Sequence, residues 1–64
     1  MNLTWQGEVV GILHNHKIQH KEFAARLGMN EKYVSQILNG HERPKSAEMK
    51  FRKVLGEMIA ERAG

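Results

Sequence analysis

Between Lys21 and Gly40 the chain reads KEFAARLGMNEKYVSQILNG, two short helical patterns separated by Gly28-Met29-Asn30. Phe23, Ala24 and Leu27 fall at the spacing of a buried helical face, and Val34, Ile37 and Leu38 repeat it. Gly28 stops the first pattern, because glycine adopts the left-handed conformation that ends a helix without a Cβ penalty. Asn30 is a good N-cap for the second, and Glu31 in its first turn suits the helix dipole. A turn this short holds the two helices at a steep angle and leaves one face of the second uncovered. Ala24 is small where the helices approach most closely.

The rest of the chain offers few alternatives to an all-α fold. It has 64 residues and no cysteine, so one small domain spanning 1–64 must fold without disulfides or thiolate-bound metal. A first helix is expected from Thr4 or Trp5, with Thr4 as N-cap and Trp5, Val9, Ile12 and Leu13 as its apolar stripe. It gives way to a polar turn at His14 to Lys17. The second helix starts near His20, with Gln19 as a poor cap. Met29, just after the turn glycine, is expected to be buried. A loop with Pro44 follows Gly40, and Ser46 caps a fourth helix whose stripe is Ala47, Phe51, Val54, Leu55, Met58 and Arg62. The stripe keeps phase across Gly56, which argues for one continuous helix. Met49 falls off it, nearly opposite Phe51.

At 100° per residue the outward face of the helix after Asn30 is Glu31, Lys32, Ser35, Gln36 and Asn39, with Tyr33 on its flank. Every one of these side chains can hydrogen-bond. Net charge is +3, and the basic surplus lies between His14 and Lys53. That distribution suits a polyanionic partner such as nucleic acid, although a solvated helix face with excess lysine is the ordinary alternative.

The segment Ile18 to Gly40 resembles the helix-turn-helix of the phage repressor and Cro family, also called the XRE family. The matching residues are Ile18, Phe23-Ala24, Leu27-Gly28-Met29, Asn30, Val34, Ile37 and Asn39-Gly40. The resemblance implies a compact all-α, lambda-repressor-like domain of four or five helices, with the motif at about residues 19–40. It implies a sequence-specific regulator of transcription, Cro-like or repressor-like, from a phage or mobile element. Such a protein occupies a palindromic double-stranded DNA operator with its second motif helix, residues 31–38, in the major groove. Carried over position by position, Glu31, Lys32, Ser35 and Gln36 read bases. Chemically, Gln36 suits adenine, Lys32 guanine and Glu31 the cytosine amine. His20, Lys21, Tyr33, Asn39, His41, Arg43 and Lys45 fall to backbone contacts. At His20 the chain departs from the glutamine that the family usually carries. A homodimer through the fourth helix or the Gly40 to Lys45 loop fits the same resemblance.

No catalytic constellation or phosphate loop is legible, so no enzyme activity, cofactor or small-molecule ligand is expected. His14, His16, His20 and His41 match no zinc spacing, and no metal site is expected. No run approaches a membrane span and no signal peptide is evident, which makes the cytoplasm the expected compartment. A second reading keeps the scaffold but binds a protein, as an antitoxin or adaptor would, through the fourth helix. A third, a membrane-surface helix over residues 46–62, is disfavoured by Glu48, Glu57 and Glu61 on its polar face.

Overall fold

The structure, a computed structural model, describes residues 4–63. Four helices hold most of them, with no strand among the described residues: α1 Trp5–Asn15, α2 His20–Leu27, α3 Glu31–Leu38 and α4 Ala47–Ala63. α1 and α2 each pack against both α3 and α4. The body measures 33 × 29 × 18 Å, so its thin dimension holds only two helix layers and one core.

That core has one apolar stripe from each helix plus Ile18 from the α1–α2 connection. Phe51 of α4 is its keystone, fully buried between two edge-on rings. Trp5 of α1 lies 5.5 Å away and Phe23 of α2 5.4 Å away, both at 87°. Phe23, Ala24, Leu27, Val34 and Ile37 all belong to the same buried cluster. Trp5, Ile12, Val54 and Met29 are only half-buried against it. For Met29 this corrects the expected burial. The residue sits in the turn itself, at the rim where α2 ends, so only part of its side chain meets the core. Arg62 is also outside the core, exposed and paired with Glu22.

The helix ends follow local chemistry. Thr4 Oγ1 accepts from Gly7 N at 3.1 Å, and Asn30 Oδ1 accepts from Lys32 N at 2.8 Å. Gln19 occupies the cap position of α2 without a side-chain bond. The Ser46 carbonyl accepts from Lys50 N, the first bond of α4. α4 then runs unbroken through Gly56, although a mid-helix glycine costs about 1 kcal/mol relative to alanine.

Three helices end in the same double hydrogen bond. Met29 N donates to Ala24 O and Gly28 N to Ala25 O. His41 N donates to Gln36 O and Gly40 N to Ile37 O. Ile18 N donates to Leu13 O and Lys17 N to His14 O. The first two place glycine at positive φ, 71° for Gly28 and 82° for Gly40. The third places Lys17 there, at φ 57°. A lysine in the left-handed region is strained by its Cβ, by about 1 kcal/mol or more. Lys17→Gly is therefore expected to stabilise the domain by about 0.5 kcal/mol, after the extra chain entropy of glycine is subtracted. Thermal unfolding should show Tm higher by about 2–4 °C.

α4 is fastened outside the core by ion pairs. Arg52 joins Glu8 of α1 and Glu48 one turn back on α4; Arg26 of α2 grips Glu61 through two hydrogen bonds of 2.6 Å; Arg62 meets Glu22 of α2 at 2.9 Å. The bidentate Arg26 contact holds the Glu61 carboxyl below its ordinary value, chiefly by hydrogen bonding; desolvation opposes this, and the arginine's charge adds a smaller lowering. A depressed carboxyl stabilises the fold above its unfolded pKa and loses that contribution as pH falls through the folded one. The Tm advantage of wild type over Glu61→Gln should thus be present at pH 7. It should vanish as the medium is acidified below the ordinary carboxyl range, which a pH series of melts will read.

Candidate nucleic-acid interface

α3 presents the candidate surface. Val34 and Ile37 are fully buried and Leu38 nearly so, which fixes the rotation of the helix about its axis. Glu31, Lys32 and Tyr33 in its first turn are exposed, as is Asn39 beyond its end. Ser35 and Gln36 are half-buried rather than free. Tyr33 keeps 38% of its surface accessible. The face therefore opens toward its N-terminal end, where the Asn30 cap also sits. It offers a carboxylate, an ammonium, a phenol, a hydroxyl and an amide, so it can both donate and accept hydrogen bonds.

The other expected contacts divide into two groups. His20 and Lys21 are the first two residues of α2, His20 half-buried and Lys21 exposed. Asn39, His41, Arg43 and Lys45 follow α3 and are all exposed. Arg43 folds back on the α3 terminus, its Nε donating to Gly40 O at 3.4 Å. Asn39, Gly40 and Arg43 line a shallow cleft of about 160 Å³ whose opposite wall is Thr4 and Gln6 of α1. A wider neighbour of about 310 Å³ adds Trp5 and Pro44. Gln6 carries no signal in the sequence: it is one polar residue on a different helix, and only the packing of α1 on α3 brings it beside Asn39 and Arg43.

The ion pairs sharpen the charge distribution. Three arginines and four glutamates are consumed in fastening α4. Among the described residues, Lys17, Lys21, Lys32, Arg43, Lys45, Lys50 and Lys53 form no ion pair, against Glu31, Glu42 and Glu57. The positive excess thus resides on lysines and Arg43 rather than on the structural arginines. No group of three or more metal-ligating side chains is placed to hold an ion among the described residues, and no described helix is long and apolar enough to cross a membrane.

Comparison with protein-family models finds no matching family, and comparisons with curated proteins and with solved structures find no match.

Proposed function

We propose that this chain is a sequence-specific double-stranded DNA-binding regulator of transcription, with α2 and α3 acting as a helix-turn-helix. The observation that carries the reading is the outer face of α3. A helix anchored by Val34, Ile37 and Leu38 leaves Glu31 and Lys32 exposed and Ser35 and Gln36 half-exposed, and Lys21, Lys32, Arg43 and Lys45 form no ion pair among the described residues. In the major groove such a face distinguishes base pairs by their donor and acceptor patterns. Gln36 suits adenine, Lys32 guanine and Glu31 the cytosine amine. Half-burial of Ser35 and Gln36 leaves Glu31 and Lys32 reaching furthest, as expected for a helix that enters the groove N-terminus first.

Around that face, Lys21, Tyr33, Asn39, His41, Arg43 and Lys45 supply phosphate contacts, with His20 beside them. Gln6 joins this set, because it shares a cleft with Asn39 and Arg43. In this reading the protein acts by occupying its operator, as a Cro-like or repressor-like regulator does.

Titration of duplex DNA at increasing salt tests the reading. Counterion release by the three cationic phosphate contacts Lys21, Arg43 and Lys45 should give a slope of log affinity against log salt of about −3. Binding that is absent at low salt, or insensitive to salt, refutes it. Selection of bound sites from a random duplex library should then return one motif with a defined half-site.

A further inference from the structure

Polar side chains from two distant stretches of the chain converge on the cleft beside the end of α3. Thr4 and Gln6 of α1 form one wall, and Asn39 and Arg43, just beyond α3, form the other. No carboxylate lines this cleft or its wider neighbour; Glu42, although next to Arg43 in sequence, belongs to neither. The hydrogen-bonding groups are largely unspent. The side-chain amides of Gln6 and Asn39 form no hydrogen bond among the described residues. Thr4 Oγ1 accepts from Gly7 N and keeps its proton to donate. Arg43 makes one long bond, from Nε to Gly40 O, and a Cβ built on Gly40 would lie 3.8 Å from its Nη2. The guanidinium is therefore laid across the end of α3. Arg26, Arg52 and Arg62 are engaged with carboxylates, which leaves Arg43 as the arginine with its fork open among the described residues.

One positive charge, two amides and a hydroxyl, with no negative charge among them, suit a phosphate. The planar arginine fork matches two of its oxygens, and the amides and hydroxyl can donate to the others. Position indicates which phosphate. An eight-residue helix is about 12 Å long, and the major groove is about 12 Å wide. With the first turn of α3 inside the groove, its far end reaches the row of phosphates along the groove edge. Asn39 and the cleft lie at that end.

We infer that this cleft clamps one DNA backbone phosphate, gripped by Thr4 and Gln6 from α1 and by Asn39 and Arg43 from beyond α3. The inference rests on the DNA-binding reading above and makes α1 a third helix that touches DNA. A phosphate held from two sides fixes the far end of α3, and so the depth at which Glu31 and Lys32 sit in the groove.

The test uses the full chain and the operator duplex returned by site selection, with single phosphates replaced in turn by uncharged methylphosphonates. Gln6→Glu sets a carboxylate against the clamped phosphate and should weaken binding to the unmodified duplex about tenfold. At one methylphosphonate position that penalty should shrink to about threefold or less, and the penalty of Arg43→Ala should shrink at the same position. Each comparison is between duplexes for one protein, so any loss of fold stability in a variant cancels. Penalties that stay equal at every position overturn the inference, as do Gln6 and Arg43 penalties that map to different phosphates. In either case salt-sensitive binding by wild type would leave the DNA-binding reading standing, whereas a wild type that binds no duplex at low salt removes both. Inorganic phosphate distinguishes a free anion as the occupant. Saturation of the Gln6 side-chain amide signal in NMR by inorganic phosphate at about 1 mM or below, without a mapped duplex position, would assign the cleft to that anion and overturn the inference.

Discussion

Phe51→Ala is expected to unfold the domain outright. Truncating a buried phenylalanine costs about 3–5 kcal/mol, and a core of this size supplies about the same. Phe51 is fully buried and holds Trp5 of α1 and Phe23 of α2 edge-on, so its loss uncouples three helices at once. Circular dichroism at 25 °C should show most of the helical signal gone and no cooperative melt. Phe51→Leu, which retains bulk but neither aromatic contact, should remain folded with Tm lowered by about 10 °C or more, since 2 kcal/mol corresponds to about 8–16 °C in a domain this small. An alanine variant that melts cooperatively near wild type would show that the rings are not the keystone.

The second large effect concerns specificity. Gln36→Ala should cost about 1–3 kcal/mol on the selected operator and little on unrelated duplex, so the ratio between the two contracts. Arg43→Ala should weaken both to a similar degree and make the salt slope shallower by about one. Arg43 is exposed and its side chain hydrogen-bonds only Gly40 O among the described residues, while Gln36 accepts from His41 N and Glu42 N through its backbone carbonyl, which alanine keeps; neither side chain belongs to the buried core. The contrast separates base reading from phosphate contact. Equal loss for Gln36→Ala on all sequences would move that residue to the backbone set.

Much of the fold is legible because its determinants are local. The stop at Gly28, the Asn30 cap and the inward phase of Val34, Ile37 and Leu38 each depend on residues within one or two turns. So do the Thr4 cap and the Glu48–Arg52 pair. Lys17 is harder to read, because nothing in its side chain announces positive φ. It is left-handed because the α1 terminus closes on Leu13 and His14 while Ile18 enters the core. The candidate face of α3 was visible as a set of hydrogen-bonding residues, but its gradient from open first turn to half-buried Ser35 and Gln36 was not. That gradient reflects how neighbouring elements cover a short helix.

Sequence alone determined where helices start and stop and which side of each is apolar, since caps, glycines and a 3.6-residue period act over a few residues. Tertiary structure decided which charges are spent and which remain free. Arg26 and Glu61 are 35 residues apart, and Arg62 and Glu22 are 40 apart. No local pattern pairs them, because they meet only when α4 packs across α2. The same packing brings Gln6 beside Asn39 and Arg43. Those neighbours are chosen by the shape of the whole core rather than by any stretch of the chain.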